Sequence, residues 1–271
     1  MKFIQKLKSA SAKNKSLLCV GLDTELEKIP KFLLQEKDPI FAFNRAIIDS
    51  TSDLVCAYKP NLAFYEAYGL KGLEALKKTC EYIPKDIPII LDAKRGDIGN
   101  TSKMYAKAIF DEFKGDGVTL SPYLGGDSLS PFLEYEDKCC FILCLTSNAG
   151  AKDFQLQNIQ GKPLYKIVAE KILSWNKKGN CGLVVGATYP EQLKEIREIA
   201  PDLPILIPGV GAQKGDAELT VRYGTDKNEN LAIINSSRGI IYASAEKDFA
   251  QAAGEEAKKL RDLFNLYRKK G

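Results

Sequence analysis

Histidine is absent from this sequence of 271 residues. Its absence excludes Ser-His and Cys-His nucleophilic catalysis, histidine metal ligands and histidine as a general acid or base. Any acid–base chemistry must therefore come from Lys, Asp, Glu, Tyr or Cys side chains.

The chain also lacks a long apolar run and a block of like charge. Its apolar stretches are strand-sized, far short of the roughly 20 residues that span a bilayer, and residues 1–6 form no apolar leader. The 39 basic and 35 acidic residues are mixed along the chain, for a net charge of +4. This balance gives little support to nucleic-acid or membrane binding, so we expect a soluble, cytoplasmic protein.

The seven cysteines include no Cys-x-x-Cys pair. Most of them lie inside or beside apolar runs, as Cys19, Cys56, Cys140, Cys144 and Cys181 do. We therefore expect buried, reduced thiols rather than disulfides or a zinc site. The sequence predicts neither a metal site nor a cofactor.

Short, continuous apolar runs recur about 30 residues apart, with amphipathic segments such as 41–48, 73–78 and 190–196 between them. Continuous runs are typical of parallel strands that are covered by helices. Eight such units predict an α/β fold, a (β/α)8 TIM barrel in one domain over residues 1–271, with an open doubly wound sheet as the alternative. Residues 260–267 resemble a closing helix. The eight runs are residues 17–23, 54–59, 88–94, 117–121, 140–145, 181–186, 204–208 and 231–235.

Polar residues cluster where these predicted strands end. In a barrel those ends converge on one face, where active sites lie. A single polar residue there could be a strand cap or a solvated charge, but recurrence at so many strand ends indicates a site. The residues are Asp23 after the first run, Lys59 after the second, Asp92 and Lys94 in the third, Ser147 after the fifth, Gly209 and Gly211 after the seventh, and Ser237 and Arg238 after the eighth.

The most informative segment is residues 91–101. Asp92 and Lys94 are two apart, so on a strand they point to the same side, towards the barrel interior or mouth. Gly96 and Gly99 permit an irregular loop that carries Asp97. With Lys59 from the neighbouring strand they complete an alternating Lys–Asp–Lys–Asp array. Buried charges are costly unless they are neutralised or used, so a structural ion-pair network is the alternative.

The Asp92-x-Lys94-x-x-Asp97 motif resembles that of the orotidine 5′-monophosphate decarboxylase superfamily. Residues 21–23, 59–61, 92–101, 146–148 and 208–213 are similar to the decarboxylases themselves, in their longer bacterial and protozoan-like branch. The similarity extends from about residue 17 to residue 242. Ala149 departs from it, since that branch often has proline there.

The resemblance implies cofactor-free conversion of orotidine 5′-monophosphate to uridine 5′-monophosphate in pyrimidine biosynthesis. Lys94 would donate the proton, with Lys59, Asp92 and Asp97 as its charge partners. The resemblance also implies a homodimer with shared active sites, in which Asp97 crosses to the other subunit. The implied substrate-binding residues are Asp23 and Thr101 for the ribose, Thr101 again across the interface, Ser147 and Gln213 for the pyrimidine, Gln213 and Arg238 with amides near Ser237 for the phosphate, and Asn61 within the matching 59–61 segment.

The chemistry suits an array of this kind. Loss of CO2 from the orotate ring leaves a carbanion that no carbonyl or imine delocalises, so the site must stabilise localised negative charge. A protonated Lys94 can do this and then give up its proton, and two neighbouring carboxylates favour its charged form. Asp92 beside the substrate carboxylate adds like-charge repulsion of about 4 kcal/mol at roughly 4 Å and an effective dielectric constant of about 20.

Three other functions remain open on the sequence. A magnesium-dependent sugar-phosphate decarboxylase or synthase shares the Asp-x-Lys-x-x-Asp spacing, but is expected to have an acidic ligand in place of Lys59. A Schiff-base aldolase needs a neutral lysine, which Asp92 and Asp97 disfavour. A non-catalytic nucleotide-binding barrel would not need the intact charge array. The sequence shows no obvious orotate phosphoribosyltransferase module, so a fused bifunctional enzyme is not indicated.

Overall fold

Eight parallel strands form the centre of the computed structural model, which describes residues 1–210 and 216–268. Each strand overlaps one of the predicted apolar runs, because the strands are buried on both faces along most of their length, apart from residues 93–95. The strands are β1 Leu18–Gly21, β2 Ala57–Lys59, β3 Ile90–Arg95, β4 Gly117–Leu120, β5 Cys139–Leu145, β6 Cys181–Val185, β7 Ile205–Pro208 and β8 Ala232–Ser236.

The strand order is β2-β1-β8-β7-β6-β5-β4-β3, and every neighbouring pair is parallel. Single bridges between Tyr58 and Ile89 and between Asn61 and Asp92 join the two ends of this sheet. The amide of Asp92 donates to the carbonyl oxygen of Pro60 at 2.9 Å across this seam. The prediction of a (β/α)8 barrel is therefore confirmed, and the open doubly wound sheet is wrong.

Helices surround the barrel. Their starts follow ordinary capping rules: Asp38 accepts a hydrogen bond from the amide of Phe41 at the start of α2, and Pro190 occupies the first turn of α8. The predicted helical segments lie within α2, α4, α8 and α11. The helices are α1 Phe3–Asn14, α2 Pro39–Thr51, α3 Leu62–Glu66, α4 Gly69–Tyr82, α5 Gly99–Lys107, α6 Gly126–Leu133, α7 Leu164–Trp175, α8 Pro190–Ile199, α9 Ala217–Gly224, α10 Arg238–Ile241 and α11 Phe249–Tyr267.

Shorter elements connect these units. A π-helical turn at Ala108–Glu112 continues α5, and 3-10 turns lie at Lys31–Gln35 and Ala149–Asp153. A two-stranded antiparallel hairpin pairs Asn158–Ile159 with Lys162–Pro163. The second 3-10 turn and the hairpin both belong to the long connection after β5.

The core has two layers. The larger lies between the strands and the helices, and the smaller fills the barrel interior. Phe3 and Leu7 of α1 belong to the interior layer, and the ring of Phe3 meets that of Phe141 edge-on at 5.4 Å. Burial of a side chain of this size contributes about 1.5–3 kcal/mol. The segment before residue 17 therefore closes the end of the barrel where the strands begin.

The cysteines agree with the sequence-based expectation. All seven are buried and free. Burial raises the pKa of Cys56 and of Cys144 to about 12. These thiols are therefore protonated and contribute to the core as small apolar groups.

Candidate active site

A cavity of about 490 Å³ opens at the end of the barrel where the strands finish. This is the face on which the polar residues of the sequence were expected to converge. Of the predicted site residues, the cavity is lined by Asp23, Lys59, Asn61, Asp92, Lys94, Ser147, Ser237 and Arg238.

A buried carboxylate between two ammonium groups occupies the side of the cavity formed by β2 and β3. Lys59 Nζ lies 2.9 Å from Asp92 Oδ2, and Lys94 Nζ lies 2.7 Å from Asp92 Oδ1. The Lys59 side chain is only 5 % exposed, whereas that of Lys94 is 51 % exposed. Asp92 is thus fixed from both sides, and Lys94 is the member of the array that can reach a ligand.

The ionisation of this array follows from its geometry. Burial alone would lower the pKa of Lys59, but the carboxylates of Asp23 and Asp92 raise it above its ordinary value. Burial would likewise raise the pKa of Asp92, and the ammonium groups of Lys59 and Lys94 instead hold it well below its usual range. Lys59 and Asp92 are therefore an ion pair at neutral pH.

Asp23 extends the charged surface towards β8. Its Oδ2 accepts a hydrogen bond from Ser237 Oγ at 2.8 Å, and its Oδ1 lies 3.8 Å from Lys59 Nζ. Oδ1 is buried and has no hydrogen-bond partner within residues 1–210 and 216–268. Gly21 makes the close approach possible, because a Cβ there would lie 2.8 Å from Ser237 Cβ. Asp23 therefore has acceptor capacity left for a ligand hydroxyl.

The backbone around Asp23 is held by the hydroxyl groups of two tyrosines. Tyr242 Oη accepts from the amide of Glu25 at 2.7 Å and donates to the carbonyl oxygen of Asp23 at 3.0 Å. Tyr65 Oη donates to the carbonyl oxygen of Leu22 at 2.8 Å. The segment that carries Asp23 is therefore held on both sides of that residue.

The loop after β5 contributes amide and hydroxyl groups. Ser147 lines the cavity together with Thr146, Asn148 and Gln155. Gln155 Oε1 accepts from the amide of Thr146 at 2.7 Å, and Thr146 Oγ1 donates to Asn148 Oδ1 at 2.6 Å. No sequence pattern indicated Gln155, because it reaches the loop from beyond the 3-10 turn.

The opposite side of the cavity, after β7 and β8, is more open. Gly209 has a φ of 105°, a backbone conformation that favours glycine. Arg238 begins α10 and is exposed at the cavity rim. Gln213, predicted to contact pyrimidine and phosphate, lies outside the described residues.

Two predicted residues do not line the cavity of their own chain. Asp97 Oδ1 accepts a hydrogen bond from the amide of Ile98 at 2.8 Å, and Thr101 is exposed on α5. Their predicted place in the site of a second subunit stays a prediction.

Several cavity residues were not singled out from the sequence. Leu143, Val184 and Leu206 form an apolar floor, and Asn235 lies beside them with its Oδ1 buried and without a partner among the described residues. Thr119 of β4 is also part of the lining. Each belongs to a predicted strand, and its inward direction could have been derived only from the strand register.

Neither metal ligands nor membrane spans are found in the part of the chain that the structure describes. There, no three His, Cys, Asp or Glu side chains lie close enough together to hold a metal ion. No helix of the described chain is both long and apolar enough to cross a bilayer.

Fold and site together define a barrel enzyme that binds a small molecule beside a lysine–aspartate array. A model of the Orotidine 5′-phosphate decarboxylase / HUMPS family matches residues 16–253. The chain belongs to this family.

Three relatives give the detail. Orotidine 5′-phosphate decarboxylase of Dehalococcoides mccartyi is 56 % identical, and the match covers 100 % of both chains. The structure of Leishmania donovani OMP decarboxylase is 37 % identical with a TM-score of 0.83, over 97 % of this chain and 99 % of that one. Leishmania donovani UMP synthase is 38 % identical with a TM-score of 0.86, over 97 % of this chain but only 57 % of that one. The chain is therefore similar to full-length decarboxylases and to part of a longer enzyme.

Proposed function

We propose that this chain decarboxylates orotidine 5′-phosphate to uridine 5′-phosphate, with Lys94 as the proton donor. The observation that carries the proposal is the Asp92 carboxylate, fixed between buried Lys59 and half-exposed Lys94 at 2.9 and 2.7 Å. Its support comes from the family and from full-length relatives named as decarboxylases of this nucleotide.

The reaction breaks the bond between the ring and the carboxyl carbon. The electron pair stays on the ring carbon, CO2 leaves, and a proton moves from Lys94 Nζ to that carbon. Lys59 holds Asp92 ionised, and the carboxylate in turn holds the Lys94 amine at the cavity wall. The lysine therefore stabilises the developing charge from a fixed position before it gives up its proton.

The remaining cavity residues fit the parts of a nucleotide. Asp23, whose buried Oδ1 has no partner among the described residues, would accept a hydrogen bond from a ribose hydroxyl, and Ser147 would hydrogen-bond to the pyrimidine. Arg238, with the amide groups near Ser237, would bind the phosphate. Asn61 lines the cavity, while its Oδ1 caps α3 by accepting from the amide of Ala63.

The geometry also bears on the other functions that the sequence left open. A sugar-phosphate enzyme of the magnesium type is expected to have an acidic ligand where Lys59 is paired with Asp92. A Schiff-base aldolase needs a neutral lysine, and Lys94 Nζ lies against a carboxylate that stays ionised. A merely nucleotide-binding barrel would not need two lysines on one buried aspartate.

The decisive experiment measures the loss of orotidine 5′-phosphate absorbance with the purified protein and with Lys94→Ala. We expect robust turnover by the unchanged protein and a loss of at least about a thousandfold in the variant, since a positioned proton donor contributes roughly 10²–10⁴-fold and its charge is lost as well. Lys8→Ala is the matched control, because Lys8 is exposed on α1 at the other end of the barrel. Full activity of Lys94→Ala, with Lys8→Ala also active, would contradict the proposal.

We further propose that two copies of the chain form a dimer that shares its active sites. Asp97 and Thr101 lie outside the cavity of their own chain, near a surface that carries exposed apolar side chains. Ile98 is 59 % exposed, Met104 56 % and Tyr123 83 %. Groups of this size are usual where another subunit packs.

Mixing two inactive variants tests the shared site. In a hybrid of Lys94→Ala and Asp97→Ala, one of the two sites takes Lys94 and Asp97 from intact chains, so activity should return towards a quarter of that of the unchanged protein after random exchange. Lys94→Ala mixed with Lys94→Ala,Asp97→Ala is the control that cannot recover. Absence of recovery, with hybrids demonstrated by mass spectrometry, would place both residues in one chain's site.

Residues 1–271 are proposed to act as one domain in the cytoplasm. α1 closes the barrel interior, and α11 buries Ala253, Ala257 and Phe264 against the barrel. Seven free, buried cysteines suit a reducing compartment.

A further inference from the structure

The pairing of β3 with β4 is irregular at the centre of the site. Leu91 pairs with Val118, and the next pair joins Arg95 to Leu120. Three residues of β3, including Asp92 and Lys94, therefore stand opposite the single residue Thr119. A bulge of this kind bends the strand and leaves backbone groups without a partner in the ladder.

Lys94 adopts an unusual backbone conformation within this bulge. Its φ is 46°, in the left-handed region that side chains other than glycine rarely adopt. Such a conformation persists only where the surroundings hold it. The amide of Lys94 donates to Thr119 Oγ1 at 2.9 Å, in place of the missing ladder bond.

The same hydroxyl also engages the carboxylate of the array. Thr119 Oγ1 donates its only proton to Asp92 Oδ1 at 2.8 Å. Asp92 Oδ1 also accepts a hydrogen bond from Lys94 Nζ at 2.7 Å. Thr119 is 1 % exposed, so water does not readily replace its hydroxyl. One hydroxyl thus connects the backbone of Lys94 to the carboxylate that fixes the Lys94 amine.

We propose that Thr119 is a positioning residue, which holds Lys94 in its left-handed conformation and orients Asp92 for the reaction. The inference rests on the proposed role of Lys94 as proton donor. Thr119 acts through these two groups: its hydroxyl proton and one lone pair are committed to them, and it exchanges no proton with the substrate. Its removal should therefore lower kcat and leave substrate binding largely unchanged.

The test compares Thr119→Val, which keeps the branched shape and removes the hydroxyl, with Thr119→Ser, which keeps the hydroxyl. We expect kcat to fall about 10- to 100-fold in Thr119→Val, as for loss of a hydrogen bond to a charged group. Thr119→Ser should stay within about threefold of the unchanged protein, and KM should change less than about threefold in both.

Thr220→Val is the matched control. Thr220 is a buried threonine of α9 whose Oγ1 has no hydrogen-bond partner among residues 1–210 and 216–268. The same substitution there should leave kcat and KM unchanged. If Thr119→Val does not fold, as judged by its circular dichroism and melting curve, Thr119→Ala takes its place, with the same expected fall in kcat.

The outcomes separate this inference from the proposed function. Unchanged kcat in folded Thr119→Val or Thr119→Ala, with Lys94→Ala inactive, overturns the inference alone. Equal losses in Thr119→Val and Thr119→Ser also overturn it, because shape and not the hydroxyl would then matter. Full activity of Lys94→Ala would contradict the proposed function itself.

Discussion

The two sides of the cavity differ in how completely their charges are paired. On the side of β2 to β4, Lys59 and Lys94 both contact the Asp92 carboxylate, and Thr119 adds a third donor. On the side of β7 and β8, the Arg238 side chain is exposed and makes no hydrogen bond or ion pair with any described residue. On the first side, called the completed side below, the charges are paired without a ligand. On the second, the open side, a cation unpaired among the described residues is available to a ligand.

This difference matches two separate tasks. Groups that stabilise a transition state are most effective when they are fixed in advance and need no reorganisation. A buried charge must also be paired, whereas an exposed guanidinium can stay solvated until an anion arrives. In the proposed reaction, the open side would supply binding energy from a remote phosphate, and that energy would drive orientation at the ring.

Removing the cation of the open side should have a large effect, although one smaller than that of Lys94→Ala. We expect Arg238→Ala to lower kcat/KM for the nucleotide about 100- to 1000-fold, because the proposed charge-assisted hydrogen bonds to the phosphate would be lost. The already poor turnover of the phosphate-free nucleoside should hardly change. Steady-state assays with both substrates measure this, and added guanidinium should partly restore the nucleotide reaction.

Arg222→Ala provides the control for this variant, since Arg222 is exposed on α9 and paired with Glu218. It should leave both substrates unaffected. Equal losses for nucleotide and nucleoside in Arg238→Ala would assign Arg238 a role in folding, and the proposed contrast between the two sides would fail.

The completed side was also the more predictable one from sequence. Lys59 and Asp92 each end a continuous apolar run, so their convergence follows once a barrel is assumed. The pairing of Asp92 with Lys94 was expected from the alternation of a regular strand. The two side chains do make contact. However, Lys94 lies in a bulge and has a φ of 46°, so the contact does not arise from the alternation of a regular strand.

Other features could not be predicted from the sequence, because they join residues that are far apart along the chain. Gln155 reaches Thr146 from nine residues away across a 3-10 turn, and Tyr242 reaches Asp23 from 219 residues away along the chain. Phe3 and Leu7 of α1 pack into the barrel interior, and this interior exists only after the barrel has closed. Local patterns predict elements, whereas these contacts depend on how the elements meet.

Tyr242 lies where the two sides meet, and its removal should have a small effect. Tyr242→Phe keeps the ring stacked on Phe43, 5.9 Å between centroids, but removes the hydroxyl that holds the backbone of Asp23 and Glu25. We expect KM for the nucleotide to rise about 3- to 10-fold with kcat nearly unchanged, since each lost hydrogen bond is worth about 0.5–1.5 kcal/mol.

Tyr82→Phe is the comparison for this change, because Tyr82 loses only an exposed hydrogen bond to Asp49. It should match the unchanged protein. A fall in kcat with constant KM in Tyr242→Phe would instead connect Tyr242 to the reacting side of the cavity.

Chelation of divalent cations should have no effect, the smallest outcome of the series. The acidic group of the completed side is already engaged, because Asp92 contacts Lys59, Lys94 and Thr119. Asp23, after β1, has one oxygen bonded to Ser237 and the other 3.8 Å from Lys59 Nζ. A divalent cation would have to displace these ammonium groups, and on the open side Arg238 already provides positive charge. We therefore expect the rate of orotidine 5′-phosphate loss to be the same before and after incubation with EDTA and gel filtration. An activity that disappears and returns with added magnesium would show that the pairing of the completed side is not sufficient, and would favour a sugar-phosphate type of chemistry.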